Sequence, residues 1–210
     1  MPNLEASLRL MELACACVCH ELAGPAGTTV NAIDAAAVDG DAGNEAFELA
    51  SGASIETVSR LKYLRAAWGG DPEPLTLPEL LILASGLAAA SRLTIDGGSL
   101  PPDTRFSPLQ GRLLLNALML ASEALPRGGT ITLVGEPADL VVTVAGIGAA
   151  WSPCLANCLG TPSRSLAALA DMRMVAVPVI MLLARRGGGH VSFLAAPPEG
   201  GPAPLRLVVD

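Results

Sequence analysis

The sequence predicts an α+β protein in which an N-terminal helical hairpin forms a four-helix bundle across a dimer axis and an α/β sandwich follows. Three observations lead there. Residues 1–70 carry apolar positions at helical spacing, and residues 71–210 alternate helical with β-rich runs. The 210-residue chain is 51% apolar yet has only three Phe, two Trp and one Tyr beside 22 Gly, 17 Pro and abundant Ala. Small and aliphatic side chains favour closely approaching helices over an aromatic-filled barrel.

In the first segment Leu4, Leu8, Met11, Cys15, Val18 and Leu22 recur at alternating spacings of four and three, the seam of a helix packed on other helices. The Asp- and Gly-rich turn Asp39-Gly40-Asp41-Ala42-Gly43 follows, with Asn44 expected as an N-cap and Glu45 and Glu48 in the first turn. Phe47, Ala50 or Ser51, Ser54, Val58, Leu61, Arg65 and Trp68 mark a second arm that Gly69-Gly70-Asp71-Pro72 stops. Such a hairpin cannot bury its seam alone, so a homodimer is the simplest completion.

Beyond a Pro-rich linker (Pro72, Pro74, Pro78), Leu80–Ala90 reads as a helix, Leu93–Ile95 as a short strand and Pro108–Leu125 as a second helix. Thr130–Val134 and Leu140–Val144 form a hairpin, Arg173–Arg186 a third helix, and His190–Leu194 and Leu205–Val209 two closing strands. Helices on one face of a sheet are the expected result.

Thirteen basic residues face 20 acidic ones, for a net charge of −7, which leaves no basic face and excludes nucleic acid as a partner. Mean hydropathy is high, at +0.49. Even so, the charge-free run Leu140–Ser163 is broken by glycines and prolines, and Val175–Ala184 is far short of the roughly twenty residues a span needs. Glu5, Arg9 and Glu12 interrupt the first helix and argue against a signal peptide. A soluble cytoplasmic protein with five reduced cysteines is expected.

His20 is one of only two histidines. It lies two residues after Val18, roughly 200° round the helix from the seam, and so is expected to face solvent. Cys17, Gly24, Gly27 and Asn31 share that outer face and leave room for another protein to land. Pro25 is expected to kink the helix just after the histidine. Glu21 is expected to accept a hydrogen bond from Nδ1 and leave Nε2 free to attack. An ordinary surface histidine on a bundle helix is the competing reading.

The run His20-Glu21-Leu22-Ala23-Gly24-Pro25 is similar to the H-box (His-Glu-Leu-x-x-Pro) of sensor histidine kinases. The segment Leu114-Leu115-Asn116 through Thr132 resembles their nucleotide-binding N-box and the strand after it, but in degenerate form. Asn116 matches the first Asn of the box, the second position is Leu120, and Gly146-Ile147-Gly148 lacks the preceding Asp that would bind adenine. Together with Arg60-Leu61-Lys62-Tyr63-Leu64-Arg65 closing the second helix, the chain resembles the ChpT-like histidine phosphotransferases. That resemblance implies a homodimer with a degenerate histidine-kinase ATP-binding domain. It implies a phosphoryl group taken from the receiver domain of a hybrid histidine kinase onto His20 and passed to another response-regulator receiver. It also implies no bound cofactor and no ATP hydrolysis, with Mg²⁺ held by the receiver. Arg65 is a candidate docking cation, with Arg60 and Lys62 nearby; a solvated helix face is the plainer reading of all three. An atypical ATP-using kinase and an inert dimeric scaffold are the rival functions.

Cys15, Cys17, Cys19 and His20 point in divergent directions at helical spacing, so no metal site is expected, and Cys154 and Cys158 are expected to pack as small apolar groups. Gly146-Ile147-Gly148 is read as a hairpin turn, and His190 as structural or surface.

Overall fold

The computed structural model describes residues 4–38, 43–160, 172–198 and 200–209. The expected turn at 39–42 and the end of the charge-free run Leu140–Ser163 lie outside them. The class is α+β, with a helical hairpin followed by a mixed sheet and its helices.

Helix α1 (Leu4–Val38) and helix α2 (Gly43–Trp68) form the hairpin. The buried positions where they lie side by side are Ala32 on α1 and Ala46, Ala50 and Ala53 on α2, side chains small enough for close approach. The seam that periodicity identifies is not this intrachain contact. Leu4 (84% exposed), Leu8 and Met11 on α1 and Phe47 (72%), Val58 and Leu61 on α2 stand uncovered in the single chain. Alanine suffices within the hairpin, and the larger side chains face outward. Asn44 does not cap α2, which already begins at Gly43. Helix α1 passes through Pro25 as one continuous helix, and the Thr28 and Thr29 hydroxyls donate to the carbonyls of Gly24 (3.2 Å) and Pro25 (3.0 Å).

Strand β1 (Leu75–Thr76) leads into helix α3 (Leu77–Ser91), which opens on a capping box between Thr76 and Glu79. Strands β2 (Leu93–Asp96) and β3 (Arg105–Phe106) precede helix α4 (Pro108–Glu123), capped the same way by Ser107 and Gln110. Then come β4 (Gly129–Glu136), β5 (Asp139–Ala145), α5 (Pro153–Gly160), a 3-10 turn at Met172–Met174, α6 (Ala176–Arg186), β6 (His190–Phe193) and β7 (Leu205–Val208). The main sheet runs β2-β4-β5-β7-β6, antiparallel except for the β2–β4 pair. Alternate strand residues (Ile131, Leu133, Leu140, Val142, Leu205, Leu207) are buried, which confines the helices to one face. Strand β1, paired antiparallel with β3, occupies part of the expected linker. Gly146-Ile147-Gly148 is a turn leaving β5 toward α5 rather than a hairpin, with Ile147 exposed.

The end of α2 is rooted in the second unit. Tyr63, Leu64 and Ala67 join the same apolar core as α4 and the sheet. The Ala67 carbonyl, one of the last-turn acceptors that a helix cannot satisfy itself, takes Arg112 Nε (3.1 Å) and Asn116 Nδ2 (3.4 Å) from α4. Trp68 Nε1 donates to Asn116 Oδ1 at 2.7 Å, and the Tyr63 hydroxyl donates to the Leu115 carbonyl. Leu13 and Cys17 of α1 pack against Val175 as a smaller cluster.

Burial holds the Tyr63 phenol well above its usual pKa. A raised folded-state pKa means that the protonated form favours the native state, and this contribution is lost as pH rises past the unfolded value near 10. Tyr63 is the sole tyrosine. Phenolate absorbance at alkaline pH should therefore appear together with loss of far-UV dichroism, not before it. A free phenolate signal from folded protein would contradict its burial.

Candidate functional site

His20 stands exposed on α1, with no hydrogen bond to its ring among the described residues. It opens onto a shallow groove lined by Ala23, Gly24, Pro25 and Thr28 of α1 and by Glu56 and Arg60 of α2, with Glu21 at its floor. Gly24 and Gly27 are exposed, and a Cβ at either would meet nothing within 4 Å. The chain's own packing therefore does not require glycine at these positions, although each costs a helix interior roughly 0.5–1 kcal/mol relative to Ala. Asn31 is exposed on the same side of α1.

Two expectations about the surroundings are corrected. Cys17, expected on the outer face, is 5% exposed and packed against Val175, because the second unit covers that side of α1. Glu21 does not hold the His20 ring. Its carboxylate accepts from Arg60 Nη1 across the hairpin, and the same guanidinium reaches Glu56 through Nε (3.0 Å) and Nη2 (2.8 Å). Arg65 is exposed but stands off the groove. Five residues beyond Arg60 is roughly 140° round the helix, which places it beside Val58 and Leu61 on the uncovered apolar stripe.

The Glu21–Arg60–Glu56 triad was missed from the sequence, although it left a trace there. Glu56 and Arg60 are an i,i+4 pair, and Glu21 and Arg60 lie about twenty residues either side of the turn, so an antiparallel hairpin brings them level. Of the cysteines, Cys15 and Cys19 are exposed, and Cys154 is half-buried on α5 next to Cys158. Burial pushes the Cys158 thiol up to about 11, the behaviour of a packed, unreactive sulfur. His190 is exposed at the start of β6. Among the described residues no three His, Cys, Asp or Glu side chains converge as a metal group, and no helix is long and apolar enough to cross a membrane.

In the second unit, Asn116 is fully buried and its amide is engaged by Trp68, Ala67 and Arg112, while Leu120 lies in the core. Both side chains are thereby taken up within the fold. Residues 77–199, which hold most of this unit, match the family model described as the histidine phosphotransferase C-terminal domain. The chain belongs to the histidine phosphotransferase family. Membership makes the protein a phosphotransferase with a role in phosphorelay signalling. Among solved structures, a bacterial phosphotransferase is 23% identical over 95% of each chain with a TM-score of 0.73, which shows a common fold over that length. A histidine kinase from Burkholderia phymatum STM815 (19% identity, 98% and 97% of the chains) and full-length ShkA in complex with AMPPNP (16%, 78% of this chain and 37% of that one) align more loosely, each with a TM-score of 0.39. No curated protein matches the sequence of this chain. His20 itself lies outside the family match.

Proposed function

We propose that His20 is the phospho-acceptor of a His–Asp phosphorelay. The observation that carries this reading is the free imidazole, exposed in an open groove on a helical hairpin, in a chain whose second unit matches the histidine phosphotransferase family. The partners are receiver domains, that of a hybrid histidine kinase as donor and that of another response regulator as acceptor. In the accepting step Nε2 attacks the phosphorus of the donor's aspartyl phosphate. The Nε2–P bond forms as the P–O bond to the Asp carboxylate breaks, and the Nδ1 proton stays on the ring. Passing the group on reverses these changes at a second Asp. Phosphoryl transfer asks mainly for in-line placement and charge neutralisation. A groove with open space around Gly24 and Gly27 supplies the approach, and the receiver supplies its Asp and Mg²⁺. We place the relay in the cytoplasm.

The protein works without a nucleotide in this reading. Supporting it are the buried amide of Asn116, turned toward α2, and Leu120 where a second ligand would stand. The protein also works as a homodimer. The uncovered Leu4, Leu8, Met11, Phe47, Ile55, Val58 and Leu61 form apolar stripes on both helices, and a second hairpin would cover them with like side chains.

The test is incubation with a phosphorylated receiver, followed by sedimentation. Acid-labile, base-stable label on a species of twice the chain mass is expected, with Leu61→Asp shifting it to a monomer. Dimers that dock receivers but take no label would mean a scaffold, and label gained from ATP alone would mean a kinase.

A further inference from the structure

We infer that Arg60 binds the phosphoryl group on His20, a role that rests on His20 being the acceptor. Apart from His20 itself, Arg60 is the one cation among the residues lining the groove, and it faces two carboxylates, Glu21 and Glu56. Its side chain is 18% exposed and those of the two glutamates 29%, so the charges are only partly screened by water. A phosphoryl group on Nε2 brings up to two further negative charges into a groove that already holds two. Without a cation in reach, that product is opposed by Coulomb repulsion. A guanidinium carries five N–H donors. Three contacts go to Glu21 and Glu56 through Nη1, Nε and Nη2, which leaves one N–H on each terminal nitrogen. Those two can donate to phosphoryl oxygens in the forked geometry that suits arginine better than lysine. Glu56, one turn before Arg60 on α2, holds the Nε edge of the guanidinium and so aims it.

The alternative is that Arg60 only braces α1 against α2. The two roles separate in a measurement on the phosphorylated protein. Phosphoramidate serves as the probe, because it phosphorylates without a partner: its P–N bond breaks, ammonia leaves and the Nε2–P bond forms. The ³¹P resonance of the full-length protein is then followed against pH for native, Arg60→Ala and Arg60→Lys forms, with His20→Ala as the control that gives no such resonance. A neighbouring guanidinium favours the dianion, so the second phosphoryl ionisation in Arg60→Ala should move up by roughly 0.5–1 pH unit. Arg60→Lys should fall between. If Arg60→Ala does not fold, the Arg60 Hε resonance of the native protein, assigned by its loss in Arg60→Lys, should shift on phosphorylation. Superimposed ³¹P titrations or an unmoved Hε resonance overturn the proposal and leave the relay reading intact. No phosphohistidine resonance from native protein overturns both.

Discussion

On the proposed role, His20→Ala is expected to abolish phosphoryl acceptance while leaving the protein folded and its oligomeric state unchanged. The loss should be on the order of a thousandfold or more, because the nucleophile itself is removed rather than tuned. Nothing else in the groove can replace it. Glu21 and Glu56 are committed to Arg60, and the Thr28 hydroxyl donates to the Gly24 carbonyl. The structural cost should be small, within about 0.5 kcal/mol, since the ring is exposed and makes no hydrogen bond among the described residues. Transfer of ³²P between two receivers, with sedimentation and a thermal melt on the same sample, measures both halves. A folded mutant that still shuttles phosphate would remove His20 from the mechanism.

Asn116→Ala should have the opposite profile, a large loss of stability from a residue far from the imidazole. Asn116 is fully buried, and its side chain joins three groups: Trp68 Nε1, the Ala67 carbonyl and the Arg112 carbonyl. The Ala67 carbonyl keeps Arg112 Nε, but the Trp68 donor loses its partner, and a small cavity opens beside it. An orphaned buried donor costs about 1–3 kcal/mol. With the cavity, a total near 2–3 kcal/mol is expected in urea unfolding. A cycle with Trp68→Phe should give a coupling of about 1 kcal/mol, since the two share one hydrogen bond. A mutant within 0.5 kcal/mol of native would mean that the joint lies elsewhere.

Much of the architecture could be read from periodicity and turn residues. The helices around Leu80–Ala90 and Pro108–Leu125 and the β4–β5 hairpin stand where the pattern puts them, because caps such as Ser107-Pro108 and the apolar alternation are local signals. Strands β1 and β3 were not legible: a two-residue strand exists only through its partner, and Leu75–Thr76 and Arg105–Phe106 are about thirty residues apart. Helix α5 hid in a run of Cys, Asn, Gly and small apolar residues with no clear period.

The hairpin seams were visible, yet spacing alone does not say which apolar face a helix offers to its own neighbour. Alanine took the inner face and Leu4, Phe47 and Val58 the outer. At the candidate site the exposed histidine followed from its offset to the seam. Cys17 was misplaced because its position depends on what covers the hairpin from outside. Arg60 was read only as a surface cation near the end of the second helix, because its pairing with Glu21 needs two helices aligned.

The junction at the end of α2 has a kinetic consequence. Arg112 and Asn116 tie off its last turn, and Tyr63 anchors it to α4, so the hairpin and the second unit stand in one fixed relation. If His20 carries the phosphoryl group as proposed, a visitor there meets a landing site assembled during folding, and ordering entropy is not lost anew at each visit. A carrier that must take on its load from one visitor and surrender it to the next then has a throughput set by how fast visitors arrive and leave, with no internal swing to wait for.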